Sequence, residues 1–345
     1  MVVVSRMPIL VFLEMAIKKT ELQDYTVKLK SNGRLHLCPM EEREEGMPIS
    51  GFSPEYQAGF VAIIGRPNVG KSTLMNALTG EKLSITSHKA STTRHRIFGI
   101  MTGENFQMVY SDTPGLIAPA YELQKNMMHQ VQMALEDADL ILAITDNLKP
   151  GIDEELLAVL KKVEVPVLLV VNKIDLSSPE KIKEKSDAWK EEMPDLDILA
   201  VSAKESFNIE GVFAWLKERL PKHPPYYPAD QLTEQSERFF AAEMLRERVF
   251  HFLEKEIPYS TTVAIEQFKD TEELLRISAL LVVERNSQKA ILLGHQGKTI
   301  KKIATGARLE MEKFFGKKVF LETYVKVEED WRKDKIKLKR LGYGG

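Results

Sequence analysis

Residues Gly65 to Ser72 read Gly-Arg-Pro-Asn-Val-Gly-Lys-Ser directly after the apolar run Gly59 to Ile64. The spacing G-x-x-x-x-G-K-[ST] behind a short apolar run confines the local fold to strand, glycine-rich loop and helix. Backbone N–H groups of such a loop, with the N-terminus of its helix, surround an anion. Gly65, Arg66, Pro67, Asn68, Val69, Gly70, Lys71, Ser72 and Thr73 are therefore the candidate cradle for nucleotide phosphates. Lys71 adds a point charge at the β- and γ-phosphates, and Ser72 offers its hydroxyl to Mg²⁺.

Two later blocks narrow the nucleotide. Asp112-Thr113-Pro114-Gly115 follows the strand candidate Phe106 to Ser111, so the Asp112 carboxylate can reach a Mg²⁺ shell and the Gly115 peptide can meet a γ-phosphate. An ordinary Asp-Pro-Gly turn accounts for the residue types but not for their place between the other two blocks. Asn172-Lys173-Ile174-Asp175 lies about a hundred residues after the cradle. A carboxylate placed like Asp175 accepts from N1–H and the N2 amino group of guanine, and adenine has neither donor on that edge. An unpaired buried acceptor costs about 1–3 kcal/mol, so this side chain selects GTP over ATP. Ser202-Ala203-Lys204 ends a further strand candidate and can present a backbone N–H to guanine O6.

Between cradle and Asp112 stands Ser91-Thr92-Thr93-Arg94-His95. A switch threonine must cover the γ-phosphate and complete the Mg²⁺ shell; Thr92 and Thr93 both qualify, and Thr93 is preferred. The expected metal set is Ser72, Thr93 and Asp112, and the expected catalytic set Lys71, Thr93 and Gly115. Leu116 occupies the place where some GTPases carry a water-orienting Gln, so slow intrinsic hydrolysis is expected. Asn68 is a candidate ligand for a monovalent cation, K⁺, with a turn-forming Asn as the equal alternative. Arg94 reads as a solvated switch residue, ahead of an arginine finger in cis.

Length and charge set the organisation. At 345 residues the chain suggests two domains. Cys38 is the only cysteine, which excludes an internal disulfide and a Cys-based zinc site. No apolar run approaches the roughly 20 residues of a membrane span. Residues 1–56 read as an N-terminal extension, either disordered or ahead of an internal start at Met47; Glu14 interrupts the apolar stretch Met7 to Ile17 and argues against a secretory signal. Strand and helix candidates alternate over 57–220, which predicts an α/β domain with a mostly parallel sheet covered by helices on both faces. Residues 221–230 form a linker, with four prolines between Pro221 and Pro228.

A different order follows over 231–330. A long helix is predicted from Glu234 to Glu256, then a hairpin of Thr261 to Phe268 and Leu274 to Glu284, two helical pieces, and a closing strand Lys317 to Val327. The helical pieces flank Gly294-His295-Gln296-Gly297, after which come Lys298, Lys301 and Lys302. G-x-x-G between helices lets a nucleic-acid backbone approach, with helix N–H groups and Lys298 facing phosphate. The α+β order fits a KH module of type II that binds single-stranded RNA. From Arg285 onward, 16 Lys and Arg stand against 7 Asp and Glu in a chain of net charge −2. A basic end on an acidic protein suggests a polyanion partner. Residues 331–345 read as a basic tail.

With both sites in hand, the chain resembles the Era family of bacterial GTPases from about Gly59 to about Tyr343. The stretch Lys89-Ala90-Ser91-Thr92-Thr93-Arg94-His95-Arg96, the single P-loop and the intact G-x-x-G carry the likeness. Length and the single P-loop exclude a related family with two G domains. Ser91 departs from the family, where Gln or Gly is more usual. The resemblance implies GTP/GDP and Mg²⁺ as ligands, and action in small-subunit assembly through 16S rRNA near its 3′ end and the 30S subunit. It also implies a cytoplasmic monomer loosely associated with the inner face of the membrane. Two rival classes stay open: a signalling GTPase whose tail, with Trp331 among basic residues, binds lipid, and a metabolic P-loop ATPase or kinase, against which Asp175 argues.

Overall fold

The computed structural model describes residues 53–86, 89, 92–146 and 151–343. The expectations for residues 1–52 and for Ser91 lie outside these.

Six strands form the first sheet: β1 (Gln57–Gly65), β2 (Ile97–Thr102), β3 (Phe106–Asp112), β4 (Leu140–Asp146), β5 (Val167–Asn172) and β6 (Asp197–Ala200). Their order is β2-β3-β1-β4-β5-β6, with β2 antiparallel to β3 and every other pair parallel. Helices α1 (Lys71–Thr79), α2 (Glu122–Glu136), α3 (Glu154–Leu160), α4 (Pro179–Glu192) and α5 (Ile209–Arg219) connect them. The central strands are buried on both faces, hence their unbroken apolar runs. Ala62, Ile64, Ile141, Ala143, Leu169 and Trp189 lie in one core cluster. Each large side chain buried there contributes about 1.5–3 kcal/mol.

The sheet brings the functional loops to one edge. Ile63 is in register with Asp112, Gly65 with Ile144, and Asp146 with Asn172. Loops following the carboxyl ends of parallel strands form the ligand crevice of such sheets.

Strand β2 was not foreseen. Gly99 interrupts its apolar alternation, and its antiparallel pairing leaves an exposed edge of the sheet. Residues just after the proline-rich stretch cover that edge: Ile100 N–H donates to Leu232 O (2.8 Å) and the Thr233 hydroxyl to Phe98 O (2.6 Å). Gln107 Oε1 accepts from the N–H groups of both Tyr226 and Tyr227. The linker is thus laid on the first sheet. Tyr56, at the end of the expected extension, is also buried there and donates its hydroxyl to Phe106 O at 2.8 Å.

The second sheet comprises β7 (Thr262–Asp270), β8 (Leu274–Val283) and β9 (Lys318–Val327); β7 and β8 are antiparallel, β8 and β9 parallel. Helices α6 (Glu237–Phe252), α7 (Ile257–Ser260), α8 (Asn286–Leu293) and α9 (Lys298–Phe315) accompany it. The long helix is shorter than predicted because the Ser236 hydroxyl caps it, accepting from Phe239 N–H at 3.3 Å, and Leu253 turns extended at its end. Ala307 and Met311 of α9 are fully buried, as are Leu245 and Val249 of α6.

The predicted basic tail is folded. Helix α10 (Lys335–Arg340) is capped by Asp334, which accepts from the N–H groups of Ile336 and Lys337. Trp331 has no exposed surface and donates its indole N–H to Ser260 O at 2.9 Å, so it is core and unavailable to a lipid interface. Leu338 and Tyr343 join it in a cluster with Leu123 and Met127 of α2. Met127 is buried, whereas Met133 is exposed.

Candidate nucleotide and nucleic-acid sites

The cradle follows β1. Gly70, at φ 103°, is the N-cap of α1, which has no side-chain cap and no acidic residue in its first turn. Its first N–H groups are therefore free for an anion, with the helix dipole behind them. Asn68 also takes positive φ, which Asn tolerates better than most residues. The Lys71 ammonium donates to Gly65 O (3.1 Å) and Arg66 O (2.9 Å). Burial lowers its pKa to about 8, against the upward pull of Asp112 and Asp153. Arg66 pairs with Asp153 at 3.1 Å.

The structure brings Ser72, Thr93 and Asp112 together. Ser72 Oγ donates to Asp112 Oδ2 at 2.6 Å and lies 3.0 Å from Thr93 Oγ1. Thr92 turns away, donating its hydroxyl to Lys89 O. Asp112 is fully buried, and its Oδ1 has no hydrogen-bond partner among the described residues. Burial pushes the carboxyl up, and the Ser72 hydroxyl and the Lys71 charge oppose that. A buried carboxylate oxygen without a partner, beside two hydroxyls and a lysine, fits a hard divalent cation with oxygen ligands.

Gly115 has no room for a side chain. A Cβ there would stand 2.5 Å from Pro67 N, so the segment after β3 lies directly on the cradle. Leu116 N–H donates to Gly65 O at 3.0 Å, and the Leu116 side chain is buried. The Thr113 hydroxyl donates to Ile63 O at 2.7 Å.

The loops expected to read the base converge as well. Asn172 Nδ2 donates to Val69 O (2.8 Å), and Asn172 Oδ1 accepts the Ala203 N–H (2.9 Å), so that donor is already shared. The Ser202 hydroxyl donates to Asp175 Oδ1 at 2.6 Å, aiming the carboxylate. Lys173, at φ 61°, donates to Asn68 O and pairs with Asp146 at 2.9 Å. Ile174 opens a short turn, and Lys204 is exposed and paired with Glu205.

Arg94 corrects both expectations. It is neither solvated nor aimed at the cradle. Its guanidinium is buried and donates to Thr261 O (2.9 Å), Tyr259 O (3.0 Å) and Pro258 O (3.2 Å), around the end of α7. His95 stacks on Tyr343, ring centroids 4.7 Å apart, and burial lowers its pKa to about 4. Nearby, Glu243 and Arg246 form a buried pair. Burial opposes the Glu243 charge, yet Arg246 holds that carboxyl below its ordinary range.

In the second sheet's domain, Gly294 and Gly297 both take positive φ. A Cβ on Gly294 would stand 2.1 Å from Thr299 Oγ1, whereas one on Gly297 meets only Ile300 Cγ2 at 4.0 Å. Gly297 is the N-cap of the 18-residue helix α9, again without side-chain cap or acid in the first turn. His295, Gln296, Lys298, Lys301 and Lys302 are exposed, while Ile303 packs beneath them. Two uncapped glycine-headed helices, one in each half of the fold, thus present free N–H groups.

A family model described as "50S ribosome-binding GTPase" matches residues 60–173, and one described as "KH domain" matches residues 256–332. The chain is 44% identical over 292 residues to GTPase Era of Geobacter metallireducens, across 84% of this chain and 98% of the relative. It is 45% identical over 294 residues to GTPase Era of Nitrosomonas eutropha, with the same coverage. A chloroplastic GTPase ERA-like protein of Arabidopsis thaliana is 39% identical over 360 residues, across 97% of this chain and 83% of that one. Among solved structures, a crystal structure of Era in complex with MgGDPNP and nucleotides 1506–1542 of 16S ribosomal RNA matches with TM-score 0.81 and 34% identity, covering 84% of this chain and all of that one. A variant of Aquifex aeolicus Era bound to GDP·AlF4⁻ matches with TM-score 0.80, 34% identity and the same coverage.

Proposed function

The chain belongs to the Era family of GTPases, and from that premise we propose that it is a GTP-hydrolysing switch that binds 16S rRNA near its 3′ end and serves small-subunit assembly. The observation that carries this is the pairing of two sites in one fold: Ser72, Thr93 and Asp112 at a glycine-headed helix, and an exposed G-x-x-G turn heading a second.

In this reading the cradle N–H groups and Lys71 hold the β- and γ-phosphates. Ser72, Thr93 and Asp112 would hold Mg²⁺, which when bound neutralises charge developing on the phosphates. Asp175, steadied by Ser202, reads the guanine edge, and Lys173 lies along the base. Gly115 presents its peptide to the γ-phosphate. Water attacks the γ-phosphorus, the bond to the β–γ bridging oxygen breaks, and GDP and phosphate leave. Leu116 cannot orient that water by a hydrogen bond, so the unassisted rate is slow. Gly294, His295, Gln296 and Gly297 approach the RNA backbone, with Lys298, Lys301 and Lys302 at phosphates.

The same reading takes residues 57–220 and 231–330 as the two domains and the chain as a cytoplasmic monomer. Helix α10 leaves Ile336 82% exposed among Lys335, Lys339 and Arg340, which suits peripheral contact with an anionic membrane. Crosslinking to total RNA followed by sequencing tests the main proposal: reads piled at the 3′ end of 16S rRNA are expected, and an even spread over unrelated RNAs overturns it. Pelleting with anionic liposomes in the absence of RNA tests the membrane contact; protein left wholly in the supernatant overturns it.

A further inference from the structure

Thr93 sits in the stretch 92–96, ahead of the first ladder pair of β2, Ile97 with Asp112. The strand ladder of the first sheet therefore does not reach it. Arg96 is tied to the first domain through Ser111 and Asp137, whereas Lys89 and Arg94 are tied to the second. Arg94 donates to the three carbonyls of Pro258, Tyr259 and Thr261, and Tyr343 Oη stands 3.4 Å from its Nη1. Lys89 donates to Phe250 O (2.6 Å) and Leu253 O at the end of α6, where the helix dipole favours a cation. Four residues before and one residue after Thr93, the chain is thus anchored to carbonyls of the other domain.

The carbonyl side is itself held. Trp331 donates to Ser260 O, and the Tyr343 hydroxyl bonds the Thr262 hydroxyl at 2.7 Å. Asn126 of α2 donates to Tyr343 O, and Leu123 N–H to Arg332 O. The anchor therefore also touches the helix that follows Gly115.

We propose that Arg94 is a positioning residue for the GTPase reaction: by binding the carbonyls at the end of α7 it holds the adjacent Thr93 over the triphosphate side of the site, so that the KH domain completes the GTP site in cis. This rests on the reading of Thr93 as a residue of the metal and γ-phosphate shell. The planar guanidinium spans three carbonyls from one position, which a lysine ammonium cannot do equally. Because GDP lacks the group Thr93 covers, the anchor acts on the triphosphate alone. Coupling between sites is commonly 5- to 150-fold, and one anchor among two points to about tenfold.

The test uses the full chain. Affinities for a non-hydrolysable GTP analogue and for GDP, each labelled on the ribose, are measured over a range of Mg²⁺ for parent, Arg94→Ala, Arg94→Lys, Tyr343→Phe and Thr93→Ala. Arg94→Ala is expected to weaken the analogue about tenfold and to raise the Mg²⁺ needed for half-maximal analogue binding, with GDP affinity kept within about twofold. Arg94→Lys falls between parent and Arg94→Ala. Equal loss for both nucleotides overturns the proposal, since damage to the fold does that. A parent-like ratio in Arg94→Ala, with the ratio lost in Thr93→Ala, also overturns it while leaving the Thr93 reading intact. A parent-like ratio in Thr93→Ala overturns that reading and the proposal with it. If Arg94→Ala fails to fold, Arg94→Lys and Tyr343→Phe must both shift the ratio against the analogue, and a parent-like ratio in both refutes the anchor.

Discussion

Gly70→Ala tests whether the phosphate cradle and the base reader are one mechanical unit. Gly70 has φ 103°, and a Cβ there would stand 2.2 Å from Asn172 Nδ2. The backbone strain alone is worth about 1–3 kcal/mol. Relief of the clash requires Asn172 to move, and Asn172 is 2% exposed, bonded to Val69 O and to Ala203 N–H. Two weakened buried bonds add about 1–2 kcal/mol. If at least about 1.4 kcal/mol of that total falls on the ligand-binding geometry, GTP affinity drops tenfold or more. The remainder lowers the melting temperature by roughly 5–10 °C. Gly80→Ala is the control: φ is +72° at the other end of α1, but among the described residues nothing lies within 4 Å of its added Cβ. It should show strain without loss of GTP affinity. Fluorescent nucleotide titration and thermal melting of both variants give the answer. Parent-like GTP affinity in Gly70→Ala, or equal effects in the two variants, would refute the coupling argument.

Asp175→Asn should lose GTP and gain xanthosine triphosphate, whose base replaces a donor by an acceptor on the edge that is read; unchanged GTP affinity in a competition assay would remove Asp175 from that role. Hydrolysis should run faster in potassium than in sodium and lose that difference in Asn68→Ala; equal turnover in both salts for the parent refutes a cation role for Asn68. Gly297→Asp should weaken binding of a fluorescent single-stranded rRNA fragment several-fold to hundred-fold, about 1–3 kcal/mol, without changing GTP affinity. Gly297→Asn tolerates the same φ of +74° without the charge and should lose less; equal losses would point to strain instead of repulsion.

What was legible in the sequence was what contiguous residues dictate. The cradle, Asp112, Asp175 and the G-x-x-G turn each need particular side chains, or a missing one, at fixed short spacing. Which of Thr92 and Thr93 lies by Ser72 is visible only in three dimensions, where the Thr93 hydroxyl faces Ser72 and the Thr92 hydroxyl closes a turn on Lys89. The role of Arg94 was illegible for a different reason. Its partners are backbone carbonyls more than 160 positions away, and any residue type supplies a carbonyl. Tyr343, near the end of the chain, carries no local pattern, yet it stacks on His95 and bonds Thr262. Strand β2 was hidden because Gly99 breaks its alternation and its outer edge is satisfied by the distant Leu232 and Thr233.

Counting charges over the last sixty residues overstated the surface open to RNA. Arg332 is paired with Glu284 and Arg340 with Glu328, while Lys333 is 2.9 Å from Asp330 and Lys317 2.7 Å from Asp270. Lys298, Lys301 and Lys302 instead stand exposed on the first turns of α9, beside the free N–H groups that Gly297 leaves. If those three lysines alone meet phosphates, counterion release from a single strand gives a slope of about −2 in log affinity against log salt. Should the residues from Arg332 to Arg340 join them, as a flexible basic tail would, the slope steepens to about −5 or beyond. Titration of the rRNA fragment at four or five salt concentrations separates the two. A slope near −2 is expected, because Trp331, Leu338 and Tyr343 are buried against α2 and hold the tail in its fold. A steep slope that becomes shallow when Lys335, Lys337 and Lys339 are changed to Gln would place the main RNA contact on α10 and remove it from the G-x-x-G turn.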